Sequence, residues 1–289
     1  MDMLITVIEQ GLIYGILGLG VYITYKILDF PDLTVDGSFP LGAAVTAVML
    51  VNGVNPYLAL LVSFVVGVLA GICTGIIHVK FHVRDLLSGI IMMTALWSIN
   101  LYIAGTANVP LFSHDTIFKN DMIKKLFGTN PYTTLGIILI ITLLCKFLLD
   151  AYLRTKSGFL LRAVGDNSSV VTALAKDEGN IKILGLALAN GLVSLAGGIF
   201  AQEQRVFEIS MGTGAIVIGL ASVIIGTSLF KNITFFKATT AVLIGSIIYK
   251  GCVAIAIKQF EPQSMKLITS ILFLVILIIS MERKKKAKG

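Results

Sequence analysis

Asp29, Asp32 and Asp36 stand together in the run DFPDLTVDGSFPL (29–41), between two strongly apolar stretches. Carboxylates at D-x-x-D-x-x-x-D spacing are hard oxygen donors, and a cluster of them suits magnesium holding a diphosphate. That chemistry needs a second acidic cluster, and Asp150, Asp166 and Asp177 are scattered. Pro31 also breaks the helical face that would align the three acids. No metal centre, cofactor or catalytic constellation is therefore expected. The remaining chemistry is that of charge in a membrane. A carboxylate near the bilayer centre costs about 2.5–3.5 kcal/mol, so it faces a cavity or a partner, and it can serve as a proton or sodium site.

The elements that would position these acids follow from composition. The 289-residue chain is 56% hydrophobic and 13% charged, with a mean hydropathy of +0.92. Soluble domains carry about 25% charged residues, so this is the composition of a polytopic membrane protein. The net charge of +7 resides in short loops and in the tail MERKKKAKG rather than on a soluble module. The positive-inside rule accounts for it, and a nucleic-acid partner is not expected. Cys73, Cys145 and Cys252 fall in apolar segments and are expected to be buried, inert thiols. The start MDMLITVIEQ lacks the basic residue of a cleaved signal, so the first apolar segment is expected to remain.

The predicted fold is all-α, a bundle of about nine membrane spans near 10–28, 38–54, 56–79, 86–105, 132–152, 181–203, 212–230, 233–257 and 265–281. Basic residues gather at Lys80–Arg84, at Arg154–Lys182, at Lys231 with Lys237, and in the tail from Arg283. All four groups share one side if the N-terminus faces out and the C-terminus in. Residues 1–289 then form a single transmembrane domain with an inside loop at about 153–182. Gly67, Gly71 and Gly75, and Gly191, Ala196, Gly197 and Gly198, recur at the spacing that lets helix backbones approach closely.

Pro31 biases Phe30 away from helical angles, and Gly37 relaxes the chain again. A helix should end near Asp29 and another begin near Ser38, with Asp36 or Ser38 as N-cap. Such a break at membrane depth requires protein or a water-filled cavity around it; otherwise the segment is an inside loop with solvated aspartates. A related pattern, EISMGTGAIVIGL (208–220), combines an acid, a hydroxyl residue and glycines before an apolar run. Discontinuous helices in two halves point to a repeat-built transporter, and inverted repeats are expected on that ground.

The inside loop reads RTKSGFLLRAVGDNSSVVTALAKDEGN, with an R-x-K-x-G opening and an L-R-A-V-G-D-N core. Arg154, Lys156 and Arg162 serve as positive-inside anchors. Gly165 is expected to turn the chain, Asp166 or Asn167 to cap a short helix over SSVVTALAKDEGN, and Gly179 to close it. The order of these features, with a small-residue-rich span directly afterwards, resembles the permeases of ABC importers of the branched-chain amino acid and ribose type. GLIYGILGLGVYITYKILDFPDLTVDGSFPLGA is similar to that family's first spans, DLLSGIIMMTALWSINLYI to its fourth, and GTGAIVIGLASVIIGTSL to its late glycine-rich span. Within it the chain is most similar to a single-permease subgroup linked to uptake of aromatic and related amino acids.

The resemblance implies a multi-pass permease of the bacterial cell membrane, surrounded by lipid and working as a homodimer. Its partners would be a cytoplasmic ATP-binding cassette ATPase and an extracytoplasmic substrate-binding lipoprotein. It places Asp29, Asp32, Asp36, Trp97, Asn100 and Asn190 by the translocation pathway, and Arg154, Lys156, Gly158, Arg162, Gly165, Asp166 and Asn167 at the ATPase contact. The family's broken segment often carries one acid or asparagine; here there are three aspartates, so the substrate does not carry over. No G-x-x-x-x-G-K-[ST] loop occurs, so ATP hydrolysis is expected on a separate subunit and the chain itself is not expected to be an enzyme. Two other classes compete: an ion-coupled secondary transporter using Asp29, Asp32 and Asp36, and an intramembrane prenyltransferase. Neither gives a reason for the basic loop.

Overall fold

The computed structural model describes residues 2–120, 132–167, 177–230, 237–259, and 267–278 except 268 and 272. The segment 168–176, where the short inside helix is expected, lies outside the described residues, as does the tail 279–289. The chain runs through α1 (Asp2–Val21), a π-helical turn (Tyr22–Ile27), α2 (Val35–Val51), α3 (Pro56–Lys80), α4 (Asp85–Ala104) and β1 (Asn108–Pro110). It continues through α5 (Thr133–Tyr152), α6 (Lys156–Asp166), α7 (Glu178–Gln204), β2 (Val206–Glu208), a 3-10 turn (Ile209–Gly212), α8 (Ala215–Leu229) and α9 (Ala238–Gln259). A last apolar helix, α10, covers Thr269–Ile278. Among the described residues, seven helical segments are long and apolar enough to cross a membrane, and α2 and α10 are shorter apolar helices, so each expected span has a counterpart.

Two helices are central. α2 is hydrophobic all round and buried on nearly every residue from Val35 to Ala47, which suits a helix enclosed by others. α7 packs along α3, α2 and α1. The expected small-residue seams account for that closeness. A methyl group at Gly67 or Gly71 of α3 would run into the α7 backbone at Asn190 or Leu186, and one at Gly42 of α2 into the Ser194 carbonyl. α8, α9 and α1 form the other side of the bundle, and α4 leans on α2. β1 and β2 pair antiparallel, with Val109 opposite Phe207, and tie the segments after α4 and α7 together. The thiols depart from expectation: only Cys145 is buried, while Cys73 and Cys252 are exposed on the surfaces of α3 and α9. The apolar stretches around them match lipid-facing helix surfaces, where a thiol needs no protein cover.

Candidate functional site

The break after α1 is built in three steps. The π turn widens the helix end, with the Leu28 N–H donating to Ile23 O (2.9 Å) and the Phe30 N–H to Thr24 O (2.9 Å). Asp29 then takes the left-handed conformation (φ 52°) with its side chain exposed, and Pro31 prevents the helix from resuming. Asp32 turns inward, 1% exposed, and accepts from the Thr34 N–H (2.9 Å), which starts α2 at Val35. The new helix thus begins before the expected Ser38. Its N-cap is Thr34, with no side-chain capping bond.

The second oxygen of Asp32 accepts from Asn190 Nδ2 of α7 (2.7 Å), and Asn190 Oδ1 accepts from Ser38 Oγ (2.7 Å). Thr34 Oγ1 and Thr74 Oγ1 of α3 share a hydrogen bond of 2.9 Å. Asp32 is therefore not a solvated loop residue. Buried polar groups of this kind persist because each is hydrogen-bonded, and here the bonds fasten the break to α3 and α7.

Asp36 does cap a helix, but not its own. Its two carboxylate oxygens accept from the Gly214 N–H (3.0 Å) and the Ile216 N–H (2.8 Å), at the start of α8. The donors lie 178 and 180 positions away in sequence. Gly214, at φ +83°, takes a left-handed turn that L side chains rarely adopt. A carboxylate on the first N–H groups of a helix also interacts favourably with the helix dipole. Pro40 leaves the Asp36 carbonyl without its helical donor, and Gly212 presses against that same carbonyl. The two discontinuities read in the sequence thus meet at Asp36.

The remaining candidates divide. Asn100 of α4 donates to Gly37 O (3.0 Å), and its Oδ1 is buried with no hydrogen-bond partner among the described residues. Asp32, Asp36, Asn100 and Asn190 therefore assemble around the first turns of α2. Asp29 and Trp97 do not join them; Trp97 is 48% exposed on the outer face of α4. The three aspartates point to different surroundings, and among the described residues no group of three His, Cys, Asp or Glu side chains converges to hold a metal ion.

The loop residues form a helix earlier than expected. α6 spans Lys156–Asp166, its N-cap Thr155 accepting from the Gly158 N–H (3.3 Å), and it ends at Asn167. Gly158, Leu161 and Val164 face the bundle, whereas Arg154, Lys156, Arg162, Asp166 and Asn167 are exposed. Gly165 is not a turn but a close contact, lying against the carbonyl of Ile27; Leu161 meets Gly185 of α7 beside Leu28. Gly179 likewise sits inside α7, whose N-cap is Asp177. α6 therefore rests directly on the break.

Two charged clusters were missed. Asp150 of α5 accepts from Lys237 Nζ (2.9 Å) and Thr239 Oγ1 (2.7 Å), with Lys146 Nζ at 3.4 Å. Lys250 of α9 lies over the Tyr14 ring at 3.8 Å from its centroid. In both cases a charge inside an apolar span was the available signal.

The family model described as branched-chain amino acid transport system / permease component matches residues 3–281. A tyrosine transport system permease protein of Clostridioides difficile is 44% identical over 278 residues, covering 96% of this chain and 91% of the relative. An uncharacterized protein of Rickettsia prowazekii is 32% identical over 295 residues, covering 99% of each. The ribose import permease protein of Escherichia coli is 25% identical over 228 residues, covering 77% of this chain and 68% of the relative. No solved structure gives a significant match.

Proposed function

Because the chain belongs to the family of branched-chain amino acid transport system permeases, we propose that it is the membrane subunit of an ATP-driven importer for an amino acid with an aromatic side chain. The observation that carries the solute class is the 44% identity, over 96% of the chain, to a tyrosine transport system permease protein. The whole chain acts as one transmembrane domain in a bacterial cell membrane. Its N-terminus faces out and its C-terminus in, which puts Arg154, Lys156, Arg162 and the lysine-rich tail on the cytoplasmic side. Hydrolysis takes place on a separate ATPase, delivery is by an extracytoplasmic binding protein, and two copies of the chain face each other in the bilayer.

The mechanism follows from how α6 is seated. The ATPase grips the exposed face of α6, with Arg154, Lys156 and Arg162 matched to acidic groups on the partner. Gly165 and Leu161 hold the other face against Ile27, Leu28 and Gly185. A shift of α6 therefore acts on the end of α1 and on the break. Asp32 and Asn190 transmit it to α7, and Asp36 to α8. Alternating access arises when these helices move as a linked set.

The test is uptake of radiolabelled L-tyrosine into vesicles holding the permease, its ATPase and its binding protein. Uptake should require ATP inside and stop with vanadate. Uptake driven by a proton or sodium gradient without ATP would overturn the reading, as would failure to import any amino acid.

A further inference from the structure

A groove of about 650 Å³ lies between α3 and α5, and the break makes no use of it. Leu188, Leu192 and Leu195 of α7 form its floor, and Leu61, Leu144 and Leu148 its exposed rim. No charged side chain lines it; the polar ones are Tyr57, Tyr152 and the Cys145 thiol. On α5 it extends from Ile141 to Tyr152, about 16 Å at about 1.5 Å per residue. Tyr152 is the last residue of α5, and its hydroxyl shares a hydrogen bond of 3.0 Å with Ser157 Oγ of α6. Two exposed cations follow directly, Arg154 in the turn and Lys156 at the start of α6. Among the described residues neither closes an ion pair.

Whatever fills this groove must be apolar along its length. It is also about one leaflet deep, since half of a hydrocarbon core of about 30 Å is about 15 Å. A zwitterionic solute would find no partner for its charges there. A helix is too large: at about 10 Å across, it takes up about 1,250 Å³ over the same depth, nearly twice the volume of the groove. A single acyl chain fits. At about 30 Å³ per carbon, close to a water molecule's share of the liquid, a chain of about sixteen carbons occupies about 500 Å³. A lipid seated in this way carries its head group to the bilayer surface, where Arg154 and Lys156 stand. Those cations favour a head group of net negative charge, by about fivefold for each cation. Arg154 has five N–H donors, so a phosphate and an acidic group of the ATPase can share it.

We propose that the groove between α3 and α5 binds one acyl chain of an anionic phospholipid, whose head group lies on Arg154 and Lys156. Under the orientation proposed above, the lipid comes from the cytoplasmic leaflet. Its chain bridges α3 and α5 over α7, and its head sits where α5 turns into α6. The lipid therefore borders the helix that the ATPase grips. This rests on the reading of the chain as a membrane subunit, and not on the identity of its solute.

The test uses the complete permease–ATPase–binding protein complex in phosphatidylcholine vesicles. Each preparation holds a trace of one photoreactive lipid, either phosphatidylglycerol or phosphatidylcholine, with the same diazirine in the middle of one acyl chain. Labelled positions are read by mass spectrometry. In the wild type, phosphatidylglycerol should label Leu144, Leu148 and Leu192 at least about fivefold more than phosphatidylcholine does. Ile91 and Ile99, exposed on α4, should be labelled equally by the two probes. The double variant R154Q/K156Q should bring the ratio in the groove down to that on α4. Equal labelling of the groove by both probes in the wild type would overturn the proposal and leave only unselective boundary lipid. A groove left unlabelled while α4 is labelled would also overturn it, since protein, such as a second copy of the chain, would then cover the site. An unchanged ratio in R154Q/K156Q would remove the two cations from the site. Labelling does not depend on uptake, so a complex that imports no amino acid would remove the import reading alone.

Discussion

Replacing Asp36 with alanine removes both acceptors that hold the start of α8. Alanine is the best helix former, so α2 itself is not weakened by the change. The loss falls on the Gly214 and Ile216 N–H groups, bonded at 3.0 and 2.8 Å. Removing an N-cap costs about 0.5–2 kcal/mol. Here two bonds to a charged acceptor are lost at a partly buried helix end, which puts the sum at about 3 kcal/mol. Asp36→Asn keeps one oxygen for one N–H and should cost about half as much, roughly 1–2 kcal/mol. Denaturant unfolding of the purified permease in detergent measures the order wild type, Asp36→Asn, Asp36→Ala. Uptake in vesicles should fall in the same order, because the capping bonds are also the link between α2 and α8. Assembly with the ATPase should persist, since the exposed face of α6 makes no bond to Asp36, whose carboxylate is engaged by Gly214 and Ile216. Asp36→Ala with wild-type stability and wild-type uptake would refute the argument. Loss of uptake with no loss of stability would also break it, by separating the cap from the transport step.

Asn190→Leu leaves the Asp32 carboxylate with Thr34 alone as a partner and should destabilise the permease by about 3 kcal/mol, against about 1 kcal/mol for Ser38→Ala; equal effects on unfolding would contradict this. Gly165→Leu pushes α6 away from the Ile27 carbonyl, so ATP hydrolysis should continue while tyrosine uptake falls, and unchanged uptake would show that this contact carries no motion. A cysteine placed at Ser157, in a background lacking the native thiols, should resist membrane-impermeant reagents added to intact cells; labelling there would reverse the proposed orientation.

Hydropathy made the spans legible because a helix across lipid needs a long apolar run whatever it packs against. The break was legible for a similar reason: Pro31 acts on its own neighbours. The partners of the break were not. Asp36 reads locally as a cap for the helix it begins, since Asp is a common N-cap, and only tertiary structure brings Gly214 and Ile216 to it. Gly165 misled in the same way. A glycine in a polar loop reads as a turn, whereas here the missing side chain makes room for the Ile27 carbonyl, and the helix runs straight through it. Lys250 escaped because one charge in a long apolar run barely moves a window average. Its position along α9 gains meaning only once the Tyr14 ring of α1 is seen to lie against it.

The Asp150 cluster completes the argument about coupling. α6 can act on the break only if its own base is fixed; a loop that slides would absorb the motion. α5 leads into α6 through Leu153–Thr155, and Asp150 near the end of α5 is held by Lys237 and by Thr239 of α9. The Thr239 bond is buried, and Lys146 adds a second cation one turn back at 3.4 Å. A carboxylate so surrounded links α5 to α9 through a buried hydroxyl bond and a charge-assisted one. The base of α6 is thereby anchored to α9, while its far end lies on Ile27, the last residue of the π turn that follows α1. α9 also carries Lys250, and α1 carries Tyr14. A swing of α6 about the anchored base must then displace α1 relative to α9. The same displacement changes the separation of Tyr14 from Lys250, at 3.8 Å in this arrangement. α6 and Lys250 are thus connected through α5 and α9, by way of the bonds at Asp150.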